Sequence, residues 1–188
     1  MKRRELLKYT ALASGTAVFA PLASSILAGC GRKPVEDIPN YQPEVFTTDQ
    51  FKLVTDMADI ILPRTDTPGA SDVGVPQTID SIVGNVYEKA DQEQYKAGMT
   101  SLERFMGEAG YTKMTPEEKL GFLRDFETGN LNGPEGVVGA YMHLRQQIIA
   151  FYLSSEAIAE NQLNYLPVPG EYEPCITLEE AGGKAWAI

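Results

Sequence analysis

From Thr47 to Leu153 the apolar side chains return every three or four residues, and prolines and glycines cut that rhythm into separate lengths. Such spacing puts the apolar groups on one face of a helix, and the breakers set where each helix stops. The first length opens on Thr47-Thr48-Asp49-Gln50, a capping box in which two side chains satisfy free N–H groups at a helix start. Phe51, Val54, Met57, Ala58 and Ile61 then share a face until Pro63 ends it. A turn-rich loop follows from Arg64 to Pro76. A second helix is expected over about residues 77–89, with Ile79, Ile82, Val83 and Val86 inward. A third is expected over about 92–109, burying Tyr95, Met99, Leu102, Phe105 and Met106. Thr115-Pro116-Glu117-Glu118 starts a fourth, with threonine as cap and proline in the first turn. It should bury Leu120, Leu123 and Phe126 and end at Gly129. The longest helix should run from about Pro134 to Leu153, with Val137, Val138, Tyr141, Leu144, Ile148, Phe151 and Tyr152 among its apolar positions. No strand pattern of comparable strength precedes the tail. The expectation is an all-α single domain of five or six helices over residues 46–188.

Both ends of the chain depart from this pattern. Near the C-terminus, Leu163 to Cys175 holds Pro167, Pro169 and Pro174 among large side chains, and Trp186 is the only tryptophan. So many prolines forbid a regular helix. The apolar groups of this extended tail must either wrap the chain's own core or reach onto a partner. At the other end, Met1 to Lys8 is basic, Tyr9 to Ile26 is uncharged and mostly apolar, and Leu27-Ala28-Gly29-Cys30 follows. A basic head, an apolar middle and a small-residue cleavage site are the parts of a secretory signal. Arg3-Arg4 before Leu6-Leu7-Lys8 resembles the twin-arginine export signal, and residues 27–30 resemble a lipobox in which the Cys30 thiol takes a diacylglyceryl group. A membrane-spanning helix is the competing reading, but 18 residues rich in Ala, Ser and Gly and broken by Pro21 would span poorly. Residues 1–29 are therefore expected to be a signal, and 30–45, with Pro34, Pro39 and Pro43, a linker between lipid anchor and domain or, alternatively, a segment strapped to a partner's surface. A periplasmic, membrane-tethered protein is the expected result.

Charge matters once that signal is set aside. Removing Lys2, Arg3, Arg4, Lys8 and Glu5 from the 16 basic and 26 acidic side chains leaves 12 and 25, a net charge of −13 over residues 30–188. Phosphate-rich nucleic acid is excluded as a partner on this ground. Anionic lipid is no more attractive to such a surface, so acyl chains would have to supply any membrane affinity.

Motifs for independent chemistry are missing from the sequence. The single histidine, His143, sits on the longest helix, where a lone histidine is more often structural than catalytic. No glycine-rich dinucleotide loop, serine elbow or haem-attachment motif occurs. Asp66 and Asp72 lie in one loop but lack calcium-loop spacing, and they read as turn and cap residues. With Cys30 taken by lipid, Cys175 is left over. In an oxidising compartment it would either bridge to a partner subunit or stay a buried free thiol.

The run Ala58-Asp59-Ile60-Ile61-Leu62-Pro63-Arg64-Thr65-Asp66-Thr67-Pro68-Gly69-Ala70-Ser71-Asp72-Val73-Gly74-Val75 resembles the signature of the gluconate 2-dehydrogenase subunit 3 family. Leu144-Arg145, Tyr152-Leu153-Ser154-Ser155-Glu156, Tyr165 to Tyr172 and Gly183-Lys184-Ala185-Trp186 follow in that family's order. The lipobox is a departure, since many members lack one. The resemblance implies a non-catalytic small subunit without a cofactor of its own. Its partner would be a catalytic flavoprotein of the glucose–methanol–choline (GMC) type, which carries FAD, oxidises a sugar, sugar acid or glycoside, and commonly passes electrons to a cytochrome c. It would support maturation of that partner and share its export signal with it. Asp66, Pro68 and Asp72 in the loop, and Tyr165, Pro167, Pro169, Tyr172 and Trp186 in the tail, are the expected docking residues. The alternative is a stand-alone helical envelope lipoprotein that binds a ligand or scaffolds other proteins.

Overall fold

The computed structural model describes residues 41–131, 133–166, 170 and 175–187. The described residues fall within one unit, Asp37–Ile188. Six α-helices follow in chain order: α1 (Thr48–Ile61), α2 (Val75–Asn85), α3 (Lys89–Glu108), α4 (Pro116–Glu127), α5 (Glu135–Leu153) and α6 (Glu156–Asn161). A short 3-10 turn, Tyr111–Lys113, joins α3 to α4. No strand forms among the described residues, so the all-α expectation holds. None of the described helices is long and apolar enough to cross a membrane.

Both capping boxes form as the sequence predicts. Thr47 caps α1 and receives Gln50 in return, and Thr115 with Glu118 does the same for α4. Each box satisfies two helix-start donors that would otherwise need water. α5 touches every other α-helix from α1 to α6, so it is the axis of the domain. Tyr141, Leu144 and Ile148 of α5 are buried in one core with Val54 and Met57 of α1, Ile79 and Val83 of α2, Met99, Leu102 and Met106 of α3, and Leu123 and Phe126 of α4.

Two inward expectations are corrected. Val86 is 66% exposed, because α2 stops at Asn85 rather than Lys89. The Val86 and Tyr87 N–H groups both donate to the Ile82 carbonyl, and this tightened end turns the chain straight into α3. Leu120 is 43% exposed. The inward edge of that turn is taken by Lys119, whose ammonium lies 2.6 Å from Asp56 of α1 and over the Tyr111 ring. Charge pairing rotates α4 so that Leu123 and Phe126, with Phe122 half-buried beside them, form its inner face.

Candidate functional site

The chain enters the described region already attached to the domain. Asp80 of α2 is fully buried, and its carboxylate accepts from the Glu44, Val45 and Phe46 backbone N–H groups at 2.6, 3.0 and 2.9 Å. The Tyr41 hydroxyl donates to it as well, at 2.7 Å, and the Tyr41 ring stacks on Phe51. Four donors replace the water that a buried carboxylate needs. Residues 41–46 are therefore strapped to α2. The sequence carried a signal for this: Asp80 falls in the buried stripe of Pro76, Ile79 and Val83.

The loop between α1 and α2 is knit from within. Arg64 grips Asp72 through Nε at 2.7 Å and through a second guanidinium contact. Asp72 also accepts from the Gly69 N–H at 2.8 Å, and Asp59 from the Ser71 N–H at 3.1 Å. The Arg64 hydrogen bond, aided by the Gly69 N–H, holds the Asp72 carboxyl below the usual carboxylate range. A Cβ on Gly69 would stand 2.9 Å from the Arg64 nitrogen, so the hairpin closes only over glycine. Tyr152 of α5 donates to the Pro68 carbonyl at 2.8 Å, which joins two of the recognisable sequence runs. Asp72 and the Pro68 carbonyl are thus engaged inside the domain, whereas Asp66 stays exposed. Among the described residues no group of three or more His, Cys, Asp and Glu is placed to hold a metal ion.

The tail does something different. No described residue after Ala159 is buried. Asn164 and Trp186 form an isolated parallel bridge, closed by Asn164 N–H to the Ala185 carbonyl at 2.7 Å and Ala187 N–H to the Asn164 carbonyl at 2.9 Å. The Asn164 amide also donates to the Ala181 carbonyl at 2.5 Å and to that of Lys184 at 3.0 Å. One asparagine so ties the two ends of the tail into a clasp. Tyr165, Leu166, Ile176, Leu178 (71% exposed) and Trp186 (52% exposed) are presented outward from it. Of the two destinations open to these groups, the chain's own core is not the one the described residues take. Cys175 is exposed in the same segment. Pro167, Pro169 and Tyr172, like Arg3, Arg4 and Cys30, lie outside the described residues.

A groove of about 920 Å³ runs along α3 and α5. Sequence reasoning missed it. Gly98 lets the two helices close: a Cβ there would meet the Ala140 methyl at 3.2 Å. At one side the Tyr95 hydroxyl donates to Gln147 Oε1 at 2.7 Å, and Gln147 Nε2 donates to the Tyr87 hydroxyl at 2.9 Å. That hydroxyl lies 3.4 Å from His143 Nε2, and the His143 ring stands edge-on to Tyr95. Burial raises the Tyr95 hydroxyl above the ordinary tyrosine range, so it serves as a neutral donor. His143 has a tyrosine beside it rather than a nucleophile or carboxylate, and the groove offers shape and hydrogen bonds.

The family model of gluconate 2-dehydrogenase subunit 3 matches residues 48–170. That span covers α1 to α6 and the opening of the clasp. No curated protein matches, and no solved structure does.

Proposed function

The chain belongs to the gluconate 2-dehydrogenase subunit 3 family, and on that premise we propose that it is the non-catalytic small subunit of an FAD-dependent sugar, gluconate or glycoside dehydrogenase. Family membership makes it a subunit of a gluconate 2-dehydrogenase complex. The finer reading is that it binds a GMC-type flavoprotein, supports its maturation, is exported with it by the twin-arginine route and tethers it to the membrane through Cys30. The observation that carries this reading is the clasp. Its backbone is tied at both ends while its large apolar groups face outward, a cost in water that a partner surface would repay. Exposed Cys175 is placed to bridge to that partner.

The flavin is assigned to the partner. The sequence carries no glycine-rich dinucleotide loop of the usual kind, which supports this assignment. FAD would supply the hydride chemistry in the large subunit, and a cytochrome c is the proposed exit for electrons. This chain's own residues would hold and position.

Co-expression with the large subunit tests the reading. Affinity capture of this chain should bring down a yellow, FAD-containing protein in fixed ratio, and a non-reducing gel should show whether Cys175 joins the two. A stable monomer with no flavin absorbance would overturn the subunit role and favour a stand-alone envelope lipoprotein.

A further inference from the structure

One surface lies outside both the clasp and the tether: the groove along α3 and α5. Gly136, Gly139, His143, Gln146 and Ala150 recur along α5 at i, i+3, i+7, i+10 and i+14, all exposed and none charged. Solvent-facing helix surfaces are normally charged or strongly polar. Glycine inside a helix also weakens it, and nothing among the described residues explains Gly136 and Gly139, since a Cβ on either would meet open space. Their use is to let another backbone come close.

The charges of the groove say which way that backbone runs. Its lining holds one carboxylate and one guanidinium, Asp91 in the first turn of α3 and Arg104 near its end. Thirteen residues apart on one helix, they are separated by about 20 Å at the helical rise. Neither has a hydrogen bond or ion pair among the described residues. Between them the lining is uncharged, built of small groups, tyrosines and His143.

We propose that this groove seats an amphipathic helix of the flavoprotein subunit, lying antiparallel to α3 with large apolar side chains over Gly98, Gly136 and Gly139. An acidic residue in that helix's first turn meets Arg104, and a basic residue in its last turn meets Asp91. This charge order is the one a helix dipole favours in the incoming helix itself, and the antiparallel setting aligns the two dipoles favourably. A second copy of this chain fits less well, because a concave groove cannot fill its own image. The proposal rests on the subunit reading above.

The test uses the tagged chain co-expressed with the large subunit, as wild type, Gly139→Leu and Arg104→Glu. Gly139→Leu fills open space on a helix and replaces the poorer helix former, so the isolated variant should melt no lower than wild type. Arg104→Glu changes an exposed side chain and should leave the melt unchanged. Both variants should lower the recovered flavin absorbance at least tenfold. Raising the salt should weaken capture by wild type more than capture by Arg104→Glu. Wild-type capture that persists undiminished in both variants would overturn the groove and leave the subunit reading standing. Wild type that captures no flavoprotein would overturn the subunit reading itself, and the groove proposal with it. A wild-type homodimer that Gly139→Leu converts to monomer in sedimentation would assign the groove to a second copy and overturn the proposal.

Discussion

At the scale of single residues, Asp80 holds residues 41–46 to the domain. Among the described residues its carboxylate is held by three backbone N–H groups and the Tyr41 hydroxyl. Asp80→Ala would leave those donors facing an apolar pocket. The expected loss is about 3 kcal/mol, the scale of breaking charge-assisted hydrogen bonds in a buried site. Denaturant unfolding measures it, and a loss below about 1 kcal/mol would mean the strap contributes little. Tyrosines show the same logic in reverse. Burial is the first cause that pushes the Tyr41, Tyr95, Tyr111 and Tyr141 hydroxyls above their ordinary range, with Asp80 adding to it at Tyr41 and Glu127 at Tyr141. A raised folded value means stability that is complete below the unfolded tyrosine pKa of about 10 and is lost as pH climbs past it. These four should therefore stay neutral in the native state and ionise together with loss of the helical signal. Absorbance that rises by all of them before the circular dichroism changes would contradict this. Asp80 was legible in the sequence as a charge inside an apolar stripe, but its partners were not, because they come from a segment 34 to 39 residues away.

Helix termini were the most legible elements, since a cap is local chemistry. Thr47 and Thr115 close their boxes with side chains only three residues distant. Helix faces were less so: Val86 fails because α2 ends before it, and Leu120 because another edge of its helix is buried. Apolar spacing says that a face exists, but which edge of it is buried depends on neighbours such as Lys119 and Asp56, 63 positions apart in the chain. The groove was invisible for a related reason: Gly136 and Gly139 look like weak points of a helix until α3 is laid beside them. Two substitutions in α4 separate cap from interior. Thr115→Ala removes the capping hydroxyl and should cost about 1 kcal/mol. Gly121→Ala, at an open position in the same helix, should gain roughly 0.5–1 kcal/mol through helix propensity. Thermal melts of the single and double variants should show these two effects adding. A destabilising Gly121→Ala would mean that the outer face of α4 is not free.

For the molecule as a whole, the proposed contacts beyond the groove lie at the two ends. The tail could not be resolved from sequence, because whether Leu178 and Trp186 bury themselves depends on what lies against them, and among the described residues both stay exposed. The other end fixes a reach. From Cys30 to Tyr41, where the Asp80 strap begins, there are 11 residues, which span at most about 40 Å when fully extended. With a net charge of −13 over residues 30–188 the chain gains nothing from an anionic bilayer surface, so on the proposed reading lipid on Cys30 would supply its membrane affinity. Cys30→Ser should then move the assembled complex from the membrane to the soluble fraction with its flavin content and activity toward a soluble acceptor unchanged, because neither clasp nor groove includes the tether. Fractionation with flavin absorbance reads both halves of that outcome. A complex that stays with the membrane would show a second anchor, in the large subunit or beyond it. A complex that leaves the membrane but has lost its flavin would show that the tether takes part in assembly as well as in attachment.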